Sequence, residues 1–194
     1  MSTRKIAIFQ CHPDPSEERL CDALCERYGQ AARTAKHEVR ITRIADLDFE
    51  CLRTQQEFEE YPLPPPLTEA QEAIRWCDHM VIIFPLWLGG LPGHARCFWE
   101  QIMRPGFATQ YREKGFPKRL LKGRSARLIV TMGMPAPAYR LIFGAFGVRA
   151  FDRSVLRLAG IGPIRHTLIG RAATAREQGP ELFRTIDTLA RRAR

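Results

Sequence analysis

Residues His79-Met80-Val81-Ile82-Ile83 form a short apolar run with no helical period, and the chain then breaks into Phe84-Pro85-Leu86-Trp87-Leu88-Gly89-Gly90-Leu91-Pro92-Gly93. An uninterrupted apolar run of this length reads as a strand buried on both faces, the kind found in parallel sheets. A helix pattern starts at Pro92, which suits a first helical turn. The segment between is rigid, aromatic and glycine-bearing, and it sits where open α/β sheets bind ligands, outside the carboxyl end of a strand. Pro85 fixes φ, Gly89 and Gly90 let backbone approach a flat ligand, and Trp87 offers a large apolar face with one N–H donor. On its own the run fits a plain βα turn with a core Trp equally well.

The rest of the chain alternates in the same way. Lys5 to Gln10 reads as a strand, followed by a polar, Pro-rich loop, Cys11 to Ser16. Apolar residues at Leu20, Ala23, Leu24 and Tyr28 predict a helix from Glu17 to about Ala32, with Ser16 as its N-cap and Glu17-Glu18 at the positive end of the helix dipole. Residues 37–44 alternate as a second strand. Residues 46–67, with four prolines, are expected to be irregular, and an excursion of that length suggests a functional or added arm. Thr68 to Cys77 reads as a helix capped by Thr68, and Pro92 to about Met103 as another. A fourth strand is expected at Ala126 to Thr131 and a fifth at Ile164 to Ile169. A loop over 131–139, a helix over roughly 141–159 and a terminal helix from Thr174 to Arg192 complete the reading. Five strands alternating with helices argue for an α/β, doubly wound five-stranded parallel sheet with right-handed crossovers.

The 194 residues fit one domain over 1–194, long enough for a substantial core. No segment approaches the roughly 18 apolar residues of a membrane span, and Met1 to Lys5 lead straight into a strand without a signal-peptide pattern. The six cysteines, Cys11, Cys21, Cys25, Cys51, Cys77 and Cys97, form no CxxC pair and no zinc spacing, so free thiols in a reducing cytoplasm are expected. The net charge of +9 comes with no zinc-finger, RRM or homeodomain signature, which argues against nucleic acid. A solvated basic surface, or attraction of an anionic small molecule such as a phosphorylated cofactor, accounts for it better.

Three segments leave carboxyl ends of strands: 11–16, 85–91 and 131–139. In the strand order 2-1-3-4-5 they converge on one crevice. The first leads to a helix N-terminus, a ready anion site, and the other two supply Trp87, Tyr139 and glycines. A phosphate at one end and a planar ring between the other two describes FMN. There is no GxGxxG after the first strand and no GxxxxGK[ST], which argues against a Rossmann dinucleotide site and excludes a P-loop.

With His12-Pro13-Asp14-Pro15, Phe84 to Pro92, Arg104-Pro105-Gly106-Phe107-Ala108 and Thr131 to Pro135 with Tyr139, in that order, the chain resembles the flavodoxin-like NAD(P)H:quinone oxidoreductases. These are the DT-diaphorase-like enzymes, and the resemblance extends to the quinone-reductase ancillary subunit of potassium efflux systems. It covers most of residues 5–170, and the second motif is the most specific. It implies a flavodoxin-like fold with FMN as cofactor and NADH or NADPH as donor. It also implies a homodimer and ping-pong two-electron reduction of a quinone or similar flat acceptor. By the same resemblance His12, with Ser16, Arg19 and Leu20, falls near the FMN phosphate. Pro85, Leu86, Trp87 and Leu88 lie along the flavin, and Thr131, Met132, Gly133 and Tyr139 flank its other side. Trp87 and Tyr139 stand as the catalytic pair, and Phe107 lines the substrate face. Backbone N–H groups around Leu86 to Leu88 are expected to face the flavin and stabilise negative charge.

The departures from the family are specific. Many relatives carry Ser-Phe-Asn where this chain has Arg19-Leu20-Cys21, so Arg19 is a candidate replacement phosphate ligand. The family's proton-relay histidine, six residues after the tyrosine, is replaced by Ala145. Two other functions share the fold: a flavin-binding regulatory subunit of a membrane transporter, and a flavodoxin-type electron carrier. The strongly basic charge counts against the carrier. No metal is called for.

Overall fold

The computed structural model describes residues 3–16, 19–175 (without the side chain of Ala175) and 179–193. Its centre is a five-stranded parallel sheet in the order β2-β1-β3-β6-β7, built from β1 (Lys5–Gln10), β2 (Glu38–Arg43), β3 (His79–Pro85), β6 (Ser125–Thr131) and β7 (Ile164–Ile169). This is the expected order 2-1-3-4-5 once the two-residue strands β4 (Thr109–Gln110) and β5 (Lys118–Arg119) are set aside as a separate small ribbon. Every residue of the central β3 is buried, which is why its sequence reads as one apolar run. The edge strand β2 has no fully buried residue.

Helices cover both faces. Leu24 and Tyr28 of α1 (Leu20–Thr34) and Ile186 and Ala190 of α9 (Gly179–Arg191) pack on Ile6, Ile8, Val81 and Ile83. Arg27 and Asp187 join these two helices through a bidentate ion pair of 2.6 and 2.5 Å. On the other face α3 (Thr68–Trp76), α4 (Gly93–Ile102) and α6 (Phe146–Phe151) bury Ile74, Phe98, Trp99, Ile102, Val148 and Phe151 against Phe9, Ile82, Phe84 and Val130. Trp99 makes edge or tilted ring contacts with Phe9, Phe98 and Phe151 at 5.2–5.4 Å.

Several local expectations give way. Ser16 does not cap α1. The helix starts at Leu20 with an extended Arg19 in the N-cap position, and Ser16 donates its amide to Asp14 Oδ1 at 2.9 Å. Glu17 and Glu18 lie outside the described residues. Thr68 lies inside α3, and Leu67 holds the cap position. The arm at 46–67 contains a short α2 (Gln55–Glu59), and a disulfide joins its Cys51 to Cys97 on α4. That pair contradicts the expectation that all six thiols are free, although Cys11, Cys21, Cys25 and Cys77 are free and buried. Residues 136–141 form α5 (Ala136–Leu141), not loop. The expected 141–159 helix is broken at Gly144 and Ala145, whose φ values of +58° and +50° lie in the left-handed region, and it includes a π-turn at Asp152–Leu156 before α7 (Arg157–Ala159). In the expected terminal helix the described residues form α8 (Ala172–Ala175) and α9, with 176–178 outside the described residues.

Candidate functional site

The three loops meet at the carboxyl edge, as the strand order dictates. Pro85 and Thr131 are register partners at the ends of β3 and β6, and the Leu86 N–H donates to the Thr131 carbonyl at 2.7 Å. The Cys11 N–H donates to Ile83 O at 2.7 Å, which turns the first loop toward β3. The imidazole of His12 stands edge-on to Trp87, with ring centroids 5.9 Å apart. An open cleft runs along this edge, lined by His12, Arg19, Leu20, Cys21, Pro85, Thr131, Ala172 and Ala173.

One end of the cleft suits an anion. It borders the N-terminus of α1, where among the described residues the Leu20 and Cys21 amides have no protein acceptor. His12 Nδ1 accepts the Asp14 N–H at 3.1 Å. Burial, opposed by Asp14, pulls the His12 pKa below its ordinary value, so the ring is neutral and its proton sits on Nε2, a donor. Arg19 is ion-paired with Asp14. The amide and hydroxyl of Ser16, then Arg19, hold the Asp14 carboxyl down to about 2. Arg19 is therefore at the cleft but already engaged by a carboxylate. The exposed side chain of Ser16 is not part of the cleft lining. Cys21 is no nucleophile: burial pushes its thiol up to about 12, and it lies 3.5 Å from Thr131 Oγ1.

The other end suits a flat, apolar group. Trp87 and Gly90 exchange backbone hydrogen bonds of 3.0 and 2.9 Å, closing a two-residue turn at Leu88 and Gly89. Both central residues have positive φ, +47° and +81°, as a type I′ turn requires. The turn leaves Trp87 48% exposed and Leu88 fully exposed. The turn takes the Trp87 N–H and the sheet edge takes the Leu86 N–H, which corrects the expectation that these two face the flavin. Only the Leu88 and Gly89 amides remain without a protein acceptor in this turn among the described residues.

Tyr139 is buried, and its hydroxyl is held at both ends. It donates to Gly89 O at 2.8 Å and accepts the Val148 N–H at 3.4 Å. Burial raises its pKa. Its place in this structure is a clamp between the Trp87 turn and α6, with Gly147 pressed against Gly89. Met132 is buried, and its amide donates to Ile169 O at 2.9 Å; Gly133 is exposed beside it. Phe107 is not brought to the cleft: it is buried, with the Arg75 guanidinium 4.9 Å from its ring centre. Sequence reasoning missed Cys21, Ala172 and Ala173. A fourth loop, after β7, brings in the alanines, and Gly170 was its available signal. A Cβ there would lie 2.5 Å from Ala136 N and 2.8 Å from Met134 O.

Sheet order and cleft position together define a flavodoxin-like α/β protein. The chain belongs to the Flavodoxin_2 family, of flavodoxin-like fold, whose model matches residues 4–189. It is 21% identical over 136 residues to an uncharacterized NAD(P)H oxidoreductase of Haemophilus influenzae, a match that covers 69% of this chain and 66% of that protein's length. The NAD(P)H:quinone oxidoreductase of Methanothermobacter marburgensis superposes with a TM-score of 0.76 at 20% identity, over 99% of this chain and 98% of that one. An FMN-dependent NADH-azoreductase of Bacillus anthracis in complex with FMN superposes with a TM-score of 0.74 at 14% identity, over 96% and 98%. No described helix is long and apolar enough to cross a membrane.

Proposed function

We propose that this chain is an FMN-dependent NAD(P)H oxidoreductase that reduces quinones or similar flat acceptors by two electrons. One observation carries this reading: the cleft joins the open N-terminus of α1 at one end to Pro85 and the exposed Trp87 turn at the other. The residues present fit FMN. The Leu20 and Cys21 amides and the His12 Nε2–H are donors for a phosphate. Pro85 and Thr131 line the cleft, and a planar ring would lie against them beside the exposed Trp87 turn, with Leu86, Leu88, Met132 and Gly133 adjacent in the two loops. Bound FMN would supply the chemistry the protein lacks, accepting hydride from NADH or NADPH and passing two electrons on. The chain supplies position and polarity. The free amides of Leu88 and Gly89 offer hydrogen bonds to developing negative charge. Tyr139 serves by fixing those amides, not by moving a proton, because its hydroxyl is engaged at both ends. With Ala145 in place of a histidine, a proton for the acceptor must come from water at the mouth.

The names of the family's structural neighbours, a quinone reductase and an FMN-dependent azoreductase, support the cofactor and acceptor class. A homodimer and a cytoplasmic location complete the proposal. Phe98, Trp99 and Phe107 are core residues and offer no dimer contact. Among the described residues the exposed aromatics open to a partner are Tyr61, Trp87, Tyr111, Phe116, Phe143 and Phe146. The test is the visible spectrum of purified protein, chromatography of the extracted flavin, and NADH- and NADPH-dependent reduction of benzoquinone. Trp87→Ala should weaken FMN binding or turnover while the melting temperature hardly moves, since the ring is half exposed. FAD alone, or a colourless protein that cannot be reconstituted, refutes the cofactor. Bound FMN without turnover would favour the regulatory transporter subunit instead.

A further inference from the structure

We propose that the amino edge of the sheet, at the opposite end of the strands from the cleft, holds a binding site for a phosphate group. The parallel strands bring four residues to this edge: Arg4 just ahead of β1, His79 at the start of β3, Ser125 at the start of β6 and Arg165 near the start of β7. With Pro163 and Ala193 they line a cavity of about 250 Å³. The strands rise about 3.3 Å per residue, which sets this cavity about 20 Å from the cleft. Strand alternation puts His79, Ser125 and Arg165 on the same sheet face as Val81, Ile129 and Ile169, the face covered by α1 and α9.

The cavity wall holds a buried donor that lacks a partner. His79 is 1% exposed, and its Nε2 has no hydrogen-bond partner among the described residues. The Ser125 hydroxyl lies 2.8 Å from His79 Nδ1 and 3.5 Å from Asp78 O. Donated along the shorter contact, the hydroxyl proton leaves the ring proton on Nε2. Leaving such a buried donor unpaired costs free energy that a bound acceptor recovers. The wall also carries cationic charge without a counter-charge. Neither Arg4 nor the exposed Arg165 joins an ion pair among the described residues. Arg165 is the register partner of the buried Arg127, so two guanidinium groups share one side of the sheet and repel. Arg127 Nη1 donates to Thr167 Oγ1 at 2.6 Å. Asp78, the acid beside His79 in sequence, accepts the Lys5 N–H at 2.9 Å and does not line the cavity. Burial, then the neighbouring arginines, depress the His79 pKa, so the imidazole adds a neutral donor to these cations. Guanidinium groups hold phosphate through paired N–H···O bonds, and a dianion answers their charge better than a carboxylate does. A cavity smaller than the ~300–1,000 Å³ of sites for drug-sized ligands suits a ligand as small as phosphate or a small phosphate ester. This site is independent of the reductase reading, since no residue of it belongs to the cleft.

The experiment follows the histidine ring nitrogens of the isotope-labelled full chain by NMR, at neutral pH and constant ionic strength. The His79 signals are identified by their loss in His79→Asn. Titration with inorganic phosphate or with glycerol phosphate should move them saturably, and the ligand that saturates at the lower concentration identifies the source as the free ion or an ester. Arg165→Gln should raise the dissociation constant at least ~10-fold with its thermal melt retained, because the side chain is exposed. Arg4→Gln should weaken binding in the same direction. His12→Ala, in the cleft, should leave the His79 titration unchanged. Stationary His79 signals overturn the proposal, and so do equal shifts with chloride, which would mean charge screening alone. Undiminished binding in both arginine variants overturns it too. If His12→Ala abolishes the shifts, the anion sits at the N-terminus of α1 and the proposal is likewise overturned. No readout here needs flavin or turnover. A colourless protein that binds phosphate at His79 would refute only the reductase reading, and a flavoprotein that does not bind it there would refute only this site.

Discussion

Gly147 is where the geometry of the site is most sharply exposed to a single substitution. A Cβ at this position would lie 2.0 Å from Gly89 O and 2.8 Å from both Gly89 C and Gly90 Cα. All three are backbone atoms of the Trp87 turn, so no side chain can swing aside. Relief to an ordinary C···O separation of about 3.3 Å requires the turn to retreat by more than ~1 Å. The 2.8 Å bond from the Tyr139 hydroxyl to Gly89 O then passes out of hydrogen-bond range. Overpacking costs about 1–3 kcal/mol and the buried hydroxyl left unpaired about 1–3 kcal/mol more. The helix propensity of Ala in α6 returns at most about 1 kcal/mol. Gly147→Ala should therefore destabilise by about 1–5 kcal/mol, which for a urea m-value of about 2–3 kcal/mol/M lowers the midpoint by roughly 0.3–2.5 M. The control is Gly93→Ala at the start of α4, where a Cβ meets nothing within 4 Å; it should be neutral or stabilising by up to about 1 kcal/mol. Urea unfolding followed by circular dichroism, with FMN titration by fluorescence quenching, reads both effects. If Gly147→Ala and Gly93→Ala behave alike in midpoint and in flavin affinity, the turn is not seated on α6 as described.

Tyr139→Phe removes the donor to Gly89 O and the acceptor for Val148 N–H; stability should drop by about 1–2 kcal/mol by denaturant titration, with weaker FMN binding. An unchanged pH–rate profile would accompany it, whereas loss of a titrating limb would restore a proton-transfer role. Arg19→Ala should loosen FMN by up to about 1.5–3 kcal/mol in calorimetric titration and leave riboflavin nearly unaffected, and Asp14→Asn, which releases Arg19 from its carboxylate, should tighten FMN. Equal changes for FMN and riboflavin would make Arg19 a surface residue with no phosphate contact. His79 gives the acid limit of stability. Burial, then Arg127, Arg4 and Arg165, hold its pKa near 3, below the ordinary 6.5. The unfolded chain takes up the proton first, so stability present above pH 6.5 drains away as pH falls toward 3, at up to about 1.4 kcal/mol per pH unit. Unfolding midpoints measured between those limits should fall less steeply for His79→Asn, and parallel curves would refute the assignment.

The three inner strands of the sheet were legible because β1, β3 and β6 are buried on both faces. The apolar runs at 79–85 and 126–131 could hardly be anything else, and the strand order places three loops on one edge. Element ends were not legible, because tertiary partners decide them. Ser16 has the chemistry of a cap, yet its amide serves Asp14 and an extended Arg19 holds the N-cap position. The break before α6 was hidden for a related reason. Glycine at 144 permits a left-handed residue, but nothing in the sequence requires Ala145 to adopt one. Cys51 and Cys97 stand 46 residues apart, and only the arm folding back across α4 brings them to a Cα separation of 5.0 Å.

The candidate site shows the same division. Its residue types announced a flat-ligand cleft, but the sequence could not say which polar groups are already taken. Leu86 and Trp87 use their amides in the sheet edge and the turn, Tyr139 uses its hydroxyl as a clamp, and Arg19 uses its charge on Asp14. What remains for a ligand among the described residues is mostly backbone: the first amides of α1 and the two at the tip of the Trp87 turn. Backbone donors carry no residue signature, so a motif can mark where such a site lies without identifying its donors. Their position depends instead on the residues that hold the loops. In this chain those are Gly147, Gly170 and Tyr139, none of which reaches into the cleft. A substitution at one of them should disturb the ligand without touching it, whereas the exposed Leu88 side chain can be exchanged with the turn amides still in place.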